Sequence, residues 1–437
     1  MKQKEKRAAR LCAIVAAISS MAALPAQAAP GDPLGPVVTV ATAAPTEQLR
    51  GLAIARGADG RAVVAWASTL GIFARRLDAA GAPSGPDFLV DPQPTWAVPD
   101  VTMNATGAFV VGWARSLQNE TDRGVYARRY AADGTPQSGV LQVAGGFPSN
   151  DRLSDLGNAA VAMDDDGDFT VAWSQGRIVE QGSPISCAYG AGLCAAISGH
   201  TIRLRRYTEG GGQAGNVQTV DTAVGLVLRI AGVGGALGSE ERSVAAAMAP
   251  DGRFVVAWSR IGQGLLSSSG VYARRYDANG GAELKRTVSL QTQAYPVAAV
   301  AMSAGGAYAV VYDRRVPGTG SVFQGNYKTG IYMRQFPAGI GLGGAEQRVD
   351  DGSDQYVASQ DVAMDAAGDC VVTWTGNTTT TDRRGRAQRY ADGGGAMGIN
   401  FTTDNIGVRV AMTPAGNFAF VWNDDATAIR ARFYDGP

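Results

Sequence analysis

Histidine is almost absent from this chain, which has one, His200, among 437 residues. A Ser-His-Asp hydrolase needs a histidine as general base, so that chemistry would have to use His200, which lies in a variable insertion. Charge imbalance is absent as well, because 39 Lys and Arg residues balance 39 Asp and Glu residues. Such a chain gives no electrostatic reason to bind nucleic acid or an anionic membrane surface. We therefore expect no nucleic-acid partner and no insertion into a membrane.

Cysteine is scarce too, with four residues in the whole chain. Cys187 and Cys194 flank a short glycine-containing segment, and in an oxidising compartment this spacing favours a local disulfide. Closing so small a loop stabilises the fold by roughly 2.5 kcal/mol. A two-cysteine metal site is the alternative, but only His200 could add a histidine ligand. We predict the disulfide between Cys187 and Cys194.

Residues 1–28 have the features of a secretory signal peptide. The segment from Lys2 to Arg10 is basic, the segment from Leu11 to Leu24 is apolar, and Ala26-Gln27-Ala28 is typical of a cleavage site. The apolar stretch is too short for a stable membrane-spanning helix, although retention as an N-terminal anchor is an alternative. We expect a secreted protein, periplasmic or extracellular, whose residues 29–437 form a single domain.

Glycine is abundant, with 58 residues, and this predicts many short strands joined by tight turns. Seven times a glycine is followed six residues later by an aromatic residue, in the pairs Gly60 and Trp66, Gly107 and Trp113, Gly167 and Trp173, Gly252 and Trp258, Gly306 and Tyr312, Gly368 and Trp374, and Gly416 and Trp422. Each unit contains four short apolar segments separated by turns. The repeat predicts an all-β, seven-bladed β-propeller with four-stranded antiparallel blades.

The last repeat lacks its fourth strand, because its third strand ends at Tyr434 and the sequence ends at Pro437. Near the N-terminus, the segment Val37-Val38-Thr39-Val40 is a strand that belongs to no complete unit. We predict that this segment pairs with the third strand of the seventh blade and closes the ring.

Three positions of the repeat suggest a function, but equivalent positions in the other units favour a structural role. Asp164, Asp166 and Asp168 could bind calcium, but the other six units place a turn there without this acid density, so we predict a turn and no cofactor. The arginine recurring in the third strand, Arg75 in the first unit, is expected to stabilise each blade through turn carboxylates. Cys370 occupies an aromatic position of strand two and is predicted to be a buried, inert thiol.

The pattern Gly-x-Phe-Val-Val-Ala-Trp, followed by Gly-Val-Tyr-Ala-Arg-Arg-Tyr-Asp-Ala-x-Gly, resembles tandem repeats of large secreted and surface proteins of bacteria. The resemblance covers essentially the whole chain after the N-terminal segment. It implies a propeller-like fold and an extracellular location. It implies no defined activity, so no catalytic residue can be transferred.

The connections between strands divide into two sets. Turns between strands one and two, and between strands three and four, are short, whereas the connections at the opposite rim vary widely in length. Function on repeat scaffolds tends to lie where the units differ, although these loops could also be tolerated insertions. The predicted ligand-binding residues are Glu120, Asp122, Arg177, Glu180, His200, Arg260, Asp313, Arg314, Tyr327, Asp382 and Arg383.

Three functional hypotheses follow. The leading one is a non-catalytic binding or scaffold propeller for a carbohydrate or protein ligand, which favours no enzymatic activity. The alternative is a carbohydrate-active enzyme, a glycoside hydrolase or lyase, with paired carboxylates at the propeller mouth. A structural module of a cell-surface assembly is the third. Paired acids converging on the mouth would favour the enzyme, and a mouth of Ala, Met and scattered Arg would favour binding.

Peptide mapping of the secreted protein by mass spectrometry, without reductant, should find Cys187 linked to Cys194, while Cys370 reacts with an alkylating reagent only after denaturation. Alkylation of Cys187 and Cys194 in the native, unreduced protein would contradict the disulfide.

Overall fold

The computed structural model of the protein describes residues 31–436 except 94–97, 116–122, 146–155, 182–192, 231–237, 264–268, 292–297, 317–327, 340, 355, 378–382, 404–405 and 426. Within these residues, all elements of regular secondary structure are β-strands, and they form seven antiparallel sheets of four strands each. No helix in this part of the chain could cross a membrane. The seven-bladed, four-stranded propeller is therefore confirmed. The proposed signal peptide lies outside the described residues.

Each blade runs from an innermost strand beside the central axis to an outermost strand at the perimeter. The innermost strands of blades 1 to 7 are β2 (Leu49–Arg56), β6 (Asp100–Met103), β10 (Leu156–Met163), β14 (Gly238–Met248), β18 (Ala298–Met302), β22 (Tyr356–Met364) and β26 (Ile406–Met412). The second strands are β3 (Ala62–Ser68), β7 (Phe109–Arg115), β11 (Phe169–Gln181), β15 (Phe254–Gln263), β19 (Tyr308–Arg315), β23 (Cys370–Asn377) and β27 (Phe418–Asp424). The third strands are β4 (Gly71–Leu77), β8 (Gly124–Tyr130), β12 (Leu193–Tyr207), β16 (Ser269–Tyr276), β20 (Thr329–Phe336), β24 (Arg383–Tyr390) and β28 (Ala428–Tyr434). The outermost strands are β5 (Phe88–Asp91), β9 (Leu141–Ala144), β13 (Gln218–Ile230), β17 (Arg286–Gln291), β21 (Gln347–Arg348), β25 (Ala396–Thr403) and, in blade 7, β1 (Val38–Thr42).

The ring closes as the sequence predicted. Strand β1 pairs antiparallel with β28, with Val38 opposite Ala431 and Thr42 opposite Ala428. The observed strand begins and ends slightly later than the predicted segment 37–40. Within it Val40 is fully buried and Thr39 is exposed, because successive side chains point to opposite faces.

The turns between first and second strands explain the repeated glycine. In every blade this glycine has a positive φ, from 83° in Gly60 to 105° in Gly368, a conformation that other residues adopt only with strain. A polar side chain also caps several of these turns. In blade 6, one carboxyl oxygen of Asp365 accepts backbone hydrogen bonds from Ala367 and Gly368, at 2.9 and 2.8 Å.

The core lies between neighbouring blades and is built from the repeated aromatic residues. The tryptophans of the second strands are buried, and rings at the turn end of the blade stack in pairs such as Phe109 and Tyr130, whose centroids are 4.9 Å apart. Blade 6 has Cys370 in place of the Phe109-type ring. Only 1% of Cys370 is exposed, which confirms a buried cysteine, and burial raises the pKa of its thiol to about 12, in line with the predicted low reactivity.

Two adjacent arginines of the third strand link a blade to both of its neighbours in blades 1 and 4, and single members of this pair link other blades. Their side chains point to opposite faces of the sheet because they are consecutive in a strand. The first donates to a valine carbonyl in the outermost strand of the preceding blade, in the pairs Arg75 and Val40, Arg128 and Val90, Arg274 and Val220, and Arg334 and Val288. The second, or a glutamine in its place, donates to a carbonyl in the next blade's turn, in the pairs Arg76 and Ala132, Arg206 and Asn279, Arg275 and Ala338, and Gln335 and Ala391. The structural role of the recurrent arginine is as expected, but its partners are backbone carbonyls rather than turn carboxylates.

Substituting Val40→Asp should destabilise the protein by about 3–5 kcal/mol, because it places an unpaired carboxylate in the buried closure. Thr39→Asp, on the exposed face of the same strand, is the matched control and should change the free energy of unfolding by less than about 1 kcal/mol. Denaturant titration monitored by tryptophan fluorescence measures both. Equal effects of the two substitutions would mean that β1 does not close the ring in solution.

Candidate functional site

The seven innermost strands surround a central channel whose cavity volume is about 730 Å³. Its wall is mostly Ala, Val and Met. One position of these strands differs between blades, three residues before the last residue of the strand. It holds alanine in blades 1, 3, 4 and 5, at Ala53, Ala160, Ala245 and Ala299. In blades 2, 6 and 7 it holds Asp100, Asp361 and Arg409, which place all three charges at one level of the channel.

This level lies towards the rim with the variable connections. Asp100 is the first residue of β6, whereas the strand ends at Met103, beside the short turn of the opposite rim. The same orientation holds for Asp361, which precedes Met364 in β22. Blades 2 and 6 are separated by two blades on one side of the ring and three on the other, so the two carboxyl groups face each other across the channel.

The carboxyl group of Asp100 connects two blades. One oxygen accepts a hydrogen bond from the backbone N–H of Val101 at 2.9 Å, and the other accepts from Val161 of the next blade at 2.8 Å. Burial raises the pKa of Asp100 to about 7, and the nearby negative charge of Asp361 acts in the same direction. The two backbone hydrogen bonds oppose this rise. Asp100 is therefore a carboxyl group that can hold or release a proton near neutral pH.

Asp361 has the same arrangement in blades 6 and 7. Its oxygens accept from the N–H groups of Val362 at 2.9 Å and Val410 at 3.1 Å. Burial raises the pKa of Asp361, while the positive charge of Arg409 lowers it. The Arg409 guanidinium donates to the carbonyl oxygens of Ser359 and Gln360, each at 3.4 Å.

Asn158 makes a similar bridge between blades without an ionisable group. Its side-chain amide donates to the carbonyl oxygen of Val244 at 2.7 Å and accepts from the N–H of the same residue at 3.1 Å. A link between neighbouring inner strands can thus be made by an uncharged side chain. The two aspartates differ from Asn158 because they also place titratable groups in the channel.

Among the residues predicted from the sequence, Asp313 lies beside this site. It accepts a hydrogen bond from the side-chain amide of Gln360 at 3.3 Å, and Gln360 lines the channel. Arg260 instead forms an ion pair with Asp221 of the preceding blade at 2.9 Å. Arg314 pairs with a glutamate of its own blade, Glu346. These two arginines bind structural carboxylates rather than the channel.

His200 is buried in β12, opposite Gly176, where glycine leaves space for the imidazole ring. It is not among the residues that line the channel. Arg177, Glu180, Arg383 and Cys194 lie in described strands, but their side chains lie outside the described part of the structure. The predicted site residues outside the described residues are Glu120, Asp122, Tyr327 and Asp382, together with Cys187 of the predicted disulfide.

The acidic turn of blade 3 resembles the other turns of the ring. One carboxyl oxygen of Asp164 accepts from the N–H of Asp168 at 2.8 Å, as the amide oxygen of Asn104 does for Ala108 at 2.9 Å. Burial raises the pKa of Asp164 to about 6. In the part of the chain that the structure describes, no three metal-binding side chains are grouped to hold an ion. The turn interpretation accounts for these contacts, and calcium at Asp164, Asp166 and Asp168 stays an alternative.

No family model and no curated protein sequence matches the chain. Several solved structures are similar to it in fold. An ulvan lyase of polysaccharide lyase family 25, bound to -[GlcA(1-4)Rha3S]-, is similar with a TM-score of 0.50 and 9% identity, over 93% of this chain and 95% of the lyase. An α-L-arabinanase of Penicillium chrysogenum has a TM-score of 0.48 and 9% identity, over 91% and 97%. The polysaccharide lyase Uly1 has a TM-score of 0.48 and 11% identity, over 96% and 94%.

At these identities the likeness shows the fold alone. The ulvan lyase, whose TM-score is 0.50, is nevertheless named as a polysaccharide-cleaving enzyme, and two facing acids, the feature expected of an enzyme, line the channel. The leading expectation of a non-catalytic binding propeller is therefore wrong, and so is the preference against an enzyme. These findings favour the carbohydrate-active alternative.

Asp100, Asp361 and Arg409 are not among the residues predicted from the sequence, because they lie in shared strands and not in the variable loops. A signal was present in the repeat itself. Three residues before the Met that ends the first strand, alanine is usual, and a charged residue there interrupts an apolar channel wall. Departures from the repeat inside a shared strand are as informative as variable loops.

The substitution Asp100→Ala should change how stability depends on pH. Folding holds the proton on Asp100 up to a pH of about 7, whereas the unfolded chain releases it near pH 4, so Asp100 lowers stability as pH rises through this range. The variant lacks this loss, which is on the order of 2 kcal/mol because channel water screens the charge.

Melting temperatures measured from pH 4 to 8 should therefore show a variant-minus-wild-type difference that becomes more positive as pH rises. Asn158→Ala, which removes a blade-bridging side chain without a titratable group, should shift the melting temperature equally at all these values. A pH-independent difference for Asp100→Ala would contradict a raised pKa.

Proposed function

We propose that the protein is a secreted carbohydrate-active enzyme that cleaves glycosidic bonds of a polysaccharide at the mouth of its central channel. The observation that carries this proposal is the pair Asp100 and Asp361, two carboxyl groups that face each other at a level of the channel otherwise formed by four alanines and Arg409. Glycosidic cleavage commonly uses two carboxyl groups on either side of the scissile bond. The names of the similar propellers support a polysaccharide as substrate, and the predicted signal peptide supports secretion.

Asp100 is suited to donate a proton. At neutral pH a carboxyl group with a pKa of about 7 is protonated in a large fraction of molecules, as a general acid for the leaving glycosidic oxygen must be. Each of its oxygens accepts one backbone hydrogen bond and keeps a further lone pair, since an ionised carboxylate has about four acceptor sites. The group is thus fixed in orientation and still able to exchange a proton with substrate.

Asp361 is the second carboxyl group. It faces Asp100 across the channel, and although burial raises its pKa, the positive charge of Arg409 opposes this rise and favours the ionised form. An ionised carboxylate opposite a proton donor can activate water, or attack the sugar directly. The backbone bonds from Val362 and Val410 fix this carboxylate to two inner strands, so the acid and its counterpart are held by rigid elements rather than loops.

Asp100→Ala and Asp361→Ala should each lower kcat by about 10²–10⁴-fold while the protein remains folded. Folding should be tolerated because alanine is the residue that blades 1, 3, 4 and 5 carry at this position. Asn158→Ala is the control, since it removes a bridge between blades without removing an acid. The assay is release of reducing ends from a panel of arabinan, ulvan, polygalacturonate and dextran.

Ultraviolet absorbance of the products separates the two reaction classes, because elimination creates an unsaturated sugar and hydrolysis does not. The pH profile of kcat/KM gives a second readout. Its alkaline limb should fall near the pKa of Asp100, about 7. Full activity of both alanine variants on a polysaccharide that the wild type cleaves would overturn the proposal.

A further inference from the structure

Arg409 is the one cation at the level of the two channel acids in the described structure. Only one of its terminal nitrogens has hydrogen bonds there, to the carbonyl oxygens of Ser359 and Gln360. A guanidinium group has five N–H donors, so most of the donors of Arg409 remain available to the channel. Its nearest acid, Asp361, uses both oxygens for backbone N–H groups and forms no ion pair with Arg409 within the described residues.

The carbonyl groups that hold Arg409 lie in an irregular part of β22. The pairing of β22 with β23 shifts between Ala358 and Asp361, and Ser359 within this bulge has a φ of 54°. Bulges often redirect side chains next to functional sites. Here the bulge directs the carbonyl oxygens of Ser359 and Gln360 towards Arg409 of the next blade.

Glycine would make this bulge without strain, and the chain uses glycine elsewhere for that purpose. Two residues before the channel position, blade 1 has Gly51 with a φ of 34° and blade 7 has Gly407 with a φ of 70°. Blade 6 has Ser359, an exposed residue, in the same kind of conformation. A residue other than glycine with positive φ costs free energy, and such residues cluster at functional sites. Ser359 is thus an exposed polar residue whose own carbonyl oxygen accepts a hydrogen bond from Arg409.

We infer that Arg409 and Ser359 form a specificity-determining subsite for an anionic group of the polysaccharide, the carboxylate of a uronic acid or a sulfate ester. This inference rests on the proposed function, because the subsite lies at the same level as Asp100 and Asp361. Arginine matches the planar, paired oxygens of such anions, and its donors are pre-oriented by the bulge. The serine hydroxyl can donate to the same anion or to a neighbouring sugar hydroxyl.

The electrostatic surroundings permit such a ligand. Burial raises the pKa of Asp100 to about 7, so part of its negative charge is lost near neutral pH, and both oxygens of Asp361 already accept backbone hydrogen bonds. The remaining wall is formed by uncharged side chains around this level, including the alanines of four blades. A sugar anion would thus meet one accessible cation in a largely neutral channel.

Affinity gel electrophoresis tests the inference without requiring cleavage. Native gels contain polygalacturonate, dextran sulfate or uncharged dextran, and the proteins are the wild type, Arg409→Gln, Ser359→Gly and Arg253→Gln. The last variant removes one positive charge from an exposed turn on the opposite rim, where Arg253 pairs with Asp251. It controls for the change in net charge.

We expect an anionic polymer to retard the wild type and Arg253→Gln, and dextran to have no effect. Arg409→Gln should weaken this binding by about 10- to 100-fold, the effect of losing a charged hydrogen bond. Ser359→Gly should also bind more weakly, with an equal or higher melting temperature because strain is relieved. Retardation by polygalacturonate alone identifies a carboxylate, and by dextran sulfate alone a sulfate. Added salt should weaken the interaction.

Equal binding of Arg409→Gln and the wild type, or stronger retention by dextran, would overturn the inference. Cleavage assays separate this result from a failure of the proposed function. If the wild type cleaves an uncharged polysaccharide and Arg409→Gln does so at the same rate, the enzyme stands and the anionic subsite is wrong. If Asp100→Ala binds an anionic polymer through Arg409 but the wild type cleaves none of the panel, the subsite stands and the catalytic proposal is wrong.

Discussion

The whole ring depends on contact between neighbouring blades, because no single blade can bury its two apolar faces by itself. The repeat meets this constraint with two kinds of contact, stacked aromatic rings and arginine hydrogen bonds. Stacked aromatic rings fill the space between blades, and the paired arginines of the third strand extend to opposite sides. One reaches a valine carbonyl of the blade before, as Arg128 does at Val90, and the other a turn carbonyl of the blade after, as Arg76 does at Ala132. Blades 1 and 4 are thus joined to both neighbours by charged hydrogen bonds to backbone oxygens that lie away from the channel, whereas Gln388 of blade 6 bonds within its own blade and blade 7 has Phe433 in the second position.

Within the channel, neighbouring blades are linked by different contacts, and these contacts create the site. The inner edges of the first strands have no further strand to pair with, so their N–H groups face the channel. Asp100 and Asp361 accept hydrogen bonds from two such groups each and thereby join blades 2 to 3 and 6 to 7. Four other blades have alanine at this position, and one of them, blade 3, is linked to blade 4 by Asn158 instead. A carboxyl group in this place is removed from bulk water, which raises its pKa and turns a structural contact into a group that can exchange protons.

The architecture could be read from the sequence because it is repeated. The seven glycine–aromatic pairs, the buried position of Cys370 and the missing fourth strand of the last unit are all consequences of one local pattern, and each was confirmed. The site could not be found in this way. Asp100, Asp361 and Arg409 come from blades far apart in sequence, and their common level in the channel depends on the bulges and register of three separate strands. Burial, which sets the proton affinity of Asp100, is likewise a property of the closed ring and not of any segment.

Closure also has a consequence for how the protein matures. The hydrogen bond from Arg430 to Thr39 joins residues 391 positions apart, and the strand that contributes Thr39 is made long before its partner. During synthesis in the N-to-C direction, this early strand must wait unpaired until β28 emerges, while six complete blades can already associate. The last step is then the insertion of a waiting strand into a nearly finished ring. Chains that stall before this step would present open sheet edges, which makes them substrates for chaperones and proteases rather than slowly active intermediates.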